Sequence, residues 1–566
     1  MTVPTQVRSG GASDPTHRVP AVARVSGLIA LVACVLVLAS CSAQPSTAPV
    51  TRPPTSVAPR PTIRKLAPAT FPGPDGIQST AVIDENERPG TTAWRITDQG
   101  PGMIEGFADH DYARFGDTVA LYVSTDQPSF VVTAYRMGWY GGAGAREVWQ
   151  SPSVPGTVQP ACPVQHATNT VSCANWSRSL SMEVTEAFDP GDYLLKLTAP
   201  DNAQSYVLLT IWQPASQATY LVMNRSMVEQ GWNSFGGYDF YQGEGACILD
   251  SSGYPPCNRA RAVSFDRPYA GTGSSDFLTN EYPMVEFMEE EGLDVTYCTD
   301  ICISDHPDVV TQHKVLVGLD HDETWTSAEL EAAVHGAQSG VNMAFFGAAT
   351  LVRHARLVPT PLGPDRLEVD YRDSTEDPLN GHGDPVDVTG NTWAAPPTDF
   401  DAESFLGESY SGYLVSGAPN APMQVFDAGS WLFAGTGLHD GSVIPSAINS
   451  DIDHVLPSAG LPQDVQVLAH SPIPLSEAYT NQGRWNGSTY SDVTYYTEPT
   501  GGAGVFDSGD NVWVATLQPC PATDPGCPAP TMRALTANVL RLFGQGPSGR
   551  TEPSQPNWRT VVPVGS

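Results

Sequence analysis

Residues 315–346 read VLVGLDHDETWTSAELEAAVHGAQSGVNMAFF, and they predict a strand, a helix and a second strand in succession. The apolar runs at both ends have the length of buried strands. Between them, Thr326 and Glu329 have the spacing of a helix capping box, and Gly340 follows as a helix stop. Strands that alternate with helices favour a mainly parallel sheet that is covered on both faces.

An acidic turn, Asp320-His321-Asp322-Glu323, joins the first strand to the helix. Three carboxylates and an imidazole are costly to hold together unless water, a cation or a substrate shares them. In open α/β sheets, ligands bind at turns that follow the carboxyl ends of strands. We therefore expect chemistry at this turn. The alternative is that its acids only cap the following helix, because helix starts favour negative charge.

The pattern of the chain changes near residue 215. Residues 77–214 show short alternating strands and turn signals without a sustained helical period, which predicts an antiparallel β-sandwich, immunoglobulin-like in outline. Residues 215–545 show strands that alternate with helices, which predicts an α/β domain with a mainly parallel sheet. We expect residues 546–566 to form a disordered tail.

The first 76 residues are typical of an exported, tethered protein. Arginines precede an apolar stretch at 25–39, which is shorter than the roughly 20 residues that a membrane-spanning helix needs. Leu38-Ala39-Ser40-Cys41 resembles the cleavage box of bacterial lipoproteins, which implies a signal peptide at 1–40, a lipid on Cys41 and a membrane-anchored, extracytoplasmic location. The alternative is an ordinary secretory signal with a chance cysteine. Residues 41–76 are rich in Pro, Thr and Ser and predict a linker.

The charge balance argues against two classes of partner. The net charge is −33, and Lys65, Lys196 and Lys314 are the only lysines. Nucleic acids and anionic membrane surfaces both require clustered cations, so neither is expected as a partner. The chain also lacks Gly-x-Ser-x-Gly, His-Glu-x-x-His and phosphate-binding loop motifs, so serine hydrolases, zincins and nucleotide enzymes have no support.

Eight cysteines remain after Cys34 and Cys41 are set aside, and they fall into close pairs. An exported compartment permits disulfides, and proximity alone favours local bridges. The expected pairs are Cys162 with Cys173, Cys247 with Cys257, Cys298 with Cys302, and Cys520 with Cys527. A zinc site is the weaker alternative, because no Cys-x-x-Cys pair is followed by a second one.

Six motifs are spread over roughly residues 100 to 545: Ala134–Gly142, Trp232–Tyr241, Val263–Tyr269, Asp294–Asp300, His321–Trp325 and Phe346–Ala349. Together they resemble proteins similar to the large (beta) subunit of N,N-dimethylformamidase. The resemblance implies a glutamine-amidotransferase-like α/β fold, although the Gly-x-Cys-x-Gly nucleophile turn of true amidotransferases is absent. It also implies hydrolysis of formamides at a ferric ion that two tyrosines and one glutamate hold.

The resemblance assigns roles to individual residues. Glu323 stands at the position of the glutamate ligand, and Tyr241 and Tyr269 are the candidate tyrosine ligands of Fe(III). Phenolate and carboxylate oxygens suit a hard trivalent cation, which polarises an amide carbonyl and acidifies bound water. His321, with Asp322 beside it, is the candidate acid/base group. The alternative for the two tyrosines is that they only pack in the fold.

The chain departs from the family pattern near these residues. Trp232 stands where the family usually has a tyrosine, and an indole offers no oxygen to iron. Thr324 replaces another tyrosine. Ala349 replaces an asparagine near the substrate, and the loss of such a preorganised donor often costs about 10²–10³ in rate.

Two hypotheses follow. The first is a cell-envelope lipoprotein that hydrolyses the C–N bond of a small amide with iron. The second is a surface module without catalysis that keeps the fold and binds a glycan, a peptide or a partner protein in the same cleft. The sequence indicates neither the substrate nor the oligomeric state.

Overall fold

The computed structural model describes residues 69–244, 258–390, 392–480, 484, 487–521 and 526–562. They fall within one compact unit, Leu66–Ser566. The architecture is mixed and consists mostly of sheets with few helices. Among the described residues, no helix is both long and apolar enough to cross a membrane.

The first part of the described chain consists almost entirely of strands. Its elements are β1 (Thr70–Pro72), β2 (Ile77–Ser79), α1 (Thr80–Asn86), β3 (Ile104–Ala108), β4 (Tyr112–Ala113), β5 (Thr118–Thr125), β6 (Ser129–Met137), β7 (Ala145–Gln150), β8 (Val154–Pro155), β9 (Val164–Gln165), β10 (Thr170–Val171), β11 (Leu180–Glu183), β12 (Gly191–Thr198) and β13 (Gln204–Ile211). Strand β1 lies within the predicted linker and pairs with β2.

Two sheets enclose the core of this part. One has the order β11-β5-β3, and the other has the order β4-β13-β12-β6-β7, with β8 added beside β6. Their pairings are antiparallel apart from β4 with β13. Alternating apolar side chains from both sheets, such as Leu121 and Leu195, share one buried cluster. This arrangement follows from the period-two pattern, which places every second side chain on the inner face.

The second part alternates strands and helices. Its elements are β14 (Tyr220–Asn224), α2 (Ser226–Gly231), β15 (Ala262–Ser264), α3 (Phe277–Asn280), α4 (Tyr282–Glu290), β16 (Val295–Thr299), α5 (Asp300–Asp305), β17 (Val315–Leu319), β18 (Thr324–Trp325), α6 (Ser327–Gln338), β19 (Asn342–Phe346), β20 (Arg353–His354), β21 (Arg356–Thr360), β22 (Gly363–Val369), α7 (Glu403–Leu406), β23 (Ser409–Leu414), β24 (Ala421–Gln424), β25 (Val443–Ile448), β26 (Asp451–His454), β27 (Gln466–Pro474), β28 (Ala478–Thr480), β29 (Ser488–Thr497), β30 (Gly504–Asp507) and α8 (Ala529–Phe543).

The central sheet has seven strands in the order β16-β14-β17-β19-β30-β29-β27. The first five run parallel, and β29 and β27 are antiparallel additions at one edge. The predicted strands β17 and β19 are parallel neighbours, with Val317 opposite Ala344. Helix α6 between them begins with the predicted capping box of Thr326 and Glu329. Gly340 follows the helix with a φ of 97°, a conformation that glycine adopts readily.

A buried ion pair joins the two parts. The guanidinium of Arg136 in β6 bonds both carboxylate oxygens of Glu289 in α4, at 2.6 and 2.9 Å. Tyr140 supports Arg136 from the same part, because its hydroxyl accepts a bond from the guanidinium at 2.9 Å and donates to Glu85 at 2.7 Å. Arg136 and Tyr140 both belong to the motif Ala134–Gly142, so this motif has a structural function at the contact between the two parts.

Residues 546–562 differ from the disorder expected for the tail. The backbone N–H of Ser548 donates to Asn342 at 3.0 Å, and Glu552 accepts a bond from the Tyr495 hydroxyl. The side chain of Asn557 bonds both the N–H and the carbonyl of Val467 on edge strand β27. The polar composition of this segment is typical of disorder, but hydrogen bonds hold the segment against the edge of the central sheet.

Three of the expected disulfides are present in the structure: Cys162–Cys173, Cys298–Cys302 and Cys520–Cys527. The fourth expected pair, Cys247 with Cys257, lies outside the described residues. The same holds for the signal peptide at 1–40 and for Cys41.

Candidate functional site

The acidic turn follows β17 at the carboxyl edge of the central sheet. Asp320 has a φ of 50°, and its N–H donates to the carbonyl of Phe346 at 2.8 Å. Its carboxylate is paired with Arg225 at 3.1 Å and accepts a bond from Asn280 at 3.1 Å. Asp320 is therefore an ion-pair partner rather than a helix cap.

Asp322 lies apart from the other members of the turn. It is buried and lines neither of the two cavities described below, although it was a candidate catalytic residue. Burial raises the pKa of its carboxyl to about 7. Its backbone carbonyl accepts a bond from the Trp325 indole at 2.9 Å. His321 and Glu323 therefore face the cavities, and Asp322 does not.

Two cavities of about 310 Å³ and about 290 Å³ lie over the carboxyl edge of the sheet, and we call them together the cleft. Both are lined by four shared residues: Trp232, His321, Ser450 and Asp451. The first cavity is otherwise lined mainly by polar side chains, among them Arg225, Asp276, Asn280, Asn449 and Asn511. The second contains Glu323, and its wall is more apolar and aromatic, with Tyr241, Ala349, Val352, Tyr410, Tyr413 and Leu414.

His321 lies between two carboxylates in the shared wall. Its Nε2 is 3.4 Å from Oε2 of Glu323 and 3.9 Å from Oδ2 of Asp451. Asp451 begins β26, where it pairs with Tyr413 of β23. We call Glu323, His321 and Asp451 the acid–imidazole set. Glu323 therefore does point into a cavity, and that cavity also contains phenol groups.

The surroundings shift the pKa values of Asp451 and His321 in opposite directions. Burial first, and then the charge of Glu323, raise the pKa of Asp451 to about 7. Burial, and then the charges of nearby arginines, lower the pKa of His321 to about 3. At neutral pH His321 is therefore neutral, while Asp451 can hold or release a proton, as a general acid or base must.

Arg353 forms hydrogen bonds to both Glu323 and Tyr241. Strands β18 and β20 pair in parallel, with Thr324 opposite Arg353, so Glu323 and Arg353 lie side by side. The Nε of Arg353 lies 3.0 Å from Oε2 of Glu323 and 3.2 Å from the hydroxyl of Tyr241. A guanidinium thus bridges the carboxylate and the phenol.

An aromatic platform forms one side of the cleft. The rings of Trp232 and Tyr241 stack with centroids 3.5 Å apart and planes 13° apart. The guanidinium of Arg372 lies 3.9 Å from the Tyr241 centroid, so Tyr241 is held between an indole and a guanidinium. Trp232 is 42% exposed, which is high for so large an apolar side chain. Trp232, which stands where the resembling proteins usually have a tyrosine, thus forms a wall of the cleft.

The residues present do not fit the expected ferric site. Tyr269 lies beside other, smaller cavities, near Asp111, so only Tyr241 of the two candidate ligands reaches Glu323. The Arg353 guanidinium, bonded to both oxygens, would repel a trivalent cation at the same place. Among the described residues, no group of three or more His, Cys, Asp or Glu side chains is arranged to hold a metal ion. The predicted set of Glu323, Tyr241 and Tyr269 is therefore not assembled.

Sequence reasoning missed three residues of the site. Asp451 lies in Ser-Asp-Ile-Asp-His at 450–454, and this density of acids in a strand was an available signal. Asn511 donates from Nδ2 to Oδ2 of Asp451 at 2.8 Å, while its Oδ1 accepts from the N–H of Ala348. Arg353 had no comparable signal, because only the pairing of β18 with β20 brings it to Glu323.

Comparison with known proteins gives one informative match. The family model described as N,N-dimethylformamidase beta subunit-like, C-terminal, matches residues 131–527. No curated protein matches the chain. Among solved structures, a Paenibacillus sp. cycloisomaltooligosaccharide glucanotransferase complexed with cycloisomaltoheptaose is similar with a TM-score of 0.14 and 10% identity, over 24% of this chain and 18% of that chain. A likeness this small supports no inference about fold or function.

Proposed function

The chain belongs to the N,N-dimethylformamidase beta-subunit-like family, and we propose that it hydrolyses the C–N bond of a small amide in the cleft with its own side chains. The observation that carries the proposal is the position of His321 between Glu323 and Asp451 at the wall that both cavities share. The family is known for metal dependence, but the bridge of Arg353 between Glu323 and Tyr241 does not suit a ferric ion.

Amide hydrolysis needs a base that takes a proton from water and an acid that protonates the leaving nitrogen. Glu323 takes the proton while neutral His321 orients the water through Nε2. The water oxygen bonds to the carbonyl carbon, and the C–N bond breaks as Asp451 gives its proton to nitrogen. The products are a carboxylic acid and an amine, and proton exchange with water restores both carboxyl groups.

The negative charge that develops on the carbonyl oxygen also needs stabilisation. Arg353 lines the second cavity, keeps its charge at every accessible pH and is held in place by Glu323 and Tyr241. A preorganised donor at such a place often contributes about 10²–10³ in rate. Arg353 thus has the electrostatic role that the resemblance assigns to iron.

The second candidate function is ligand binding without hydrolysis. The observation that favours it is the large exposed face of Trp232 at the cleft. Such a face suits a ligand with a flat apolar side. In this case the acid–imidazole set would only form hydrogen bonds to the ligand.

The test uses proton NMR to measure the release of carboxylic acid from formamide, N,N-dimethylformamide and acetamide. We expect turnover of at least one amide by the wild-type protein and a loss of at least about 10² in Asp451→Asn, the size of a general-acid contribution. Asp399→Asn, at an exposed position that lines neither cavity, is the matched control and should retain activity. No release from any amide, or equal rates in Asp451→Asn, would refute the hydrolase and leave the binding function.

The proposal includes the cell envelope as the location, with a lipid on Cys41. Its support is the box Leu38–Cys41. Replacement of Cys41 by Ala should move the protein from the membrane fraction to the soluble or secreted fraction. An unchanged membrane fraction in Cys41→Ala would contradict the lipid anchor.

A further inference from the structure

The two cavities of the cleft differ in chemistry. The first is lined mainly by groups that form hydrogen bonds, such as Asn280, Asn449 and Asn511. The wall of the second includes Ala349, Val352 and Leu414 beside Glu323 and Arg353, and these three residues offer no hydrogen bond through their side chains. A ligand that fills both must therefore have a polar body and a short apolar branch.

The guanidinium of Arg225 in the first cavity is already paired with carboxylates. Arg225 lies 3.1 Å from Asp320 and 3.1 Å from Glu229. Two carboxylates that share one guanidinium leave no cation for an anionic ligand. A cationic ligand would lie beside Arg225. A neutral ligand with several hydroxyl groups fits this cavity best.

Trp232 adds a flat apolar surface to the wall of this polar cavity. One face of the indole stacks on Tyr241, and 42% of the residue remains exposed. Tyr241 is itself fixed, because Arg372 packs on its ring and Arg353 bonds its hydroxyl. Sugar rings have a C–H face that packs on such aromatic surfaces, while their hydroxyls bond polar side chains.

The acid–imidazole set lies where the two cavities meet, since His321 and Asp451 line both. A ligand that spans the cavities therefore presents its central bond to these groups. For a sugar with a short acyl branch on nitrogen, that bond is the amide.

On the basis of the proposed function, we infer that the substrate class is an N-acylated amino sugar. The sugar ring packs on Trp232 in the first cavity, and the acyl group fills the second. Water adds its oxygen to the acyl carbon, the C–N bond breaks, and nitrogen takes a proton. The products are a carboxylic acid and a free amino sugar.

The test compares N-acetylglucosamine with acetamide as substrates of the full-length protein, with acetate followed by NMR and sugar binding by calorimetry. We expect kcat/KM to be at least tenfold higher for N-acetylglucosamine. Trp232→Ala should lose this preference and weaken sugar binding at least tenfold, whereas Trp232→Phe, which keeps a flat ring, should retain most of both. Thermal unfolding of both variants checks that they fold.

The outcomes separate this inference from the proposed function. Hydrolysis of acetamide with no preference for the sugar would overturn the substrate class and leave the hydrolase. Sugar binding that depends on Trp232 without acetate release would overturn the hydrolase and leave the recognition of the sugar. Neither binding nor release would overturn both.

Discussion

The side-chain amide of Asn511 donates a 2.8 Å hydrogen bond to the carboxylate of Asp451, and its oxygen accepts from the backbone N–H of Ala348. Asn511 follows β30 and Asp451 begins β26, so the bond orients Asp451 from a distant part of the chain. This contact makes Asn511 a positioning residue for the acid–imidazole set.

Asn511→Asp should lower kcat by about tenfold or more, because it removes the donor to Asp451 but keeps the acceptor for Ala348. KM should change little, and thermal unfolding should show a folded protein. Steady-state kinetics of acid release measure both constants. Asn202→Asp, at an exposed position in the first part of the chain, also removes a side-chain donor, here to the carbonyl of Asp98, and as the control it should keep the wild-type kcat. A fall in stability with kcat unchanged would show that Asn511 is only structural.

Arg353→Met should destabilise the protein by about 3–5 kcal/mol, because Glu323 would remain buried without its guanidinium partner. The double variant Arg353→Met/Glu323→Gln should recover part of this loss, since it removes both charges. Urea unfolding of the wild type, both single variants and the double variant measures the coupling. A single-variant loss below about 1 kcal/mol, or no recovery in the double variant, would contradict the buried pair.

Asp192 should make stability fall as pH rises. It is buried, accepts bonds from Thr210 and Asn224, and burial raises its pKa to about 7 from 3.8. Between about pH 4 and pH 7 the folded state therefore holds a proton that the unfolded state has released, so the contribution of this group to stability decreases across that window and is constant above it.

Asp192→Asn should therefore gain up to a few kcal/mol over wild type at pH 8 and much less at pH 4.5. Chemical unfolding at both pH values measures the difference. Asp84→Asn, an exposed position on α1, should show the same change from wild type at both pH values. A larger gain at the lower pH would contradict the sign.

The C-terminal segment should contribute to stability. Truncation after Gln545 should cost at least about 2 kcal/mol, because it removes the bonds of Ser548, Glu552 and Asn557 to the central sheet, each worth about 1 kcal/mol. Asn557→Ala should reproduce part of the loss, and Glu552→Ala, whose contact is through the backbone, should not. An unchanged melting temperature in the truncated protein would support the disorder expected from the sequence.

The predictable features were those that local patterns determine. The strand–helix–strand unit at 315–346 and the capping box of Thr326 follow from apolar periodicity and short-range spacing, and the structure contains them. The acidic turn was singled out because charged side chains after a buried strand are costly without a function; His321 and Glu323 line the cleft, and their catalytic role stays a prediction. Which residues of this turn face the cleft was less predictable, since the direction of the Asp322 side chain depends on the local backbone.

The unpredictable features depend on contacts between distant residues. Arg353 reaches Glu323 only through the pairing of β18 with β20, and Asp451 reaches His321 only through the sheet that contains β26. The ferric site was inferred from the resemblance, and the sequence did not indicate that a guanidinium lies between the two oxygens. The position of Tyr269 was not predictable either: its motif is present, but its side chain lines a smaller cavity beside Asp111 and not the cleft.

The central claim is that side chains, with Arg353 beside Glu323, perform the hydrolysis without iron. The direct measurement is the rate of acid release by protein that has been treated with a chelator, before and after addition of one equivalent of Fe(III). We predict the same rate in both samples and no tyrosinate absorption band. A rate that is absent until iron is added, together with a purple-brown band that Tyr241→Phe removes, would contradict the claim.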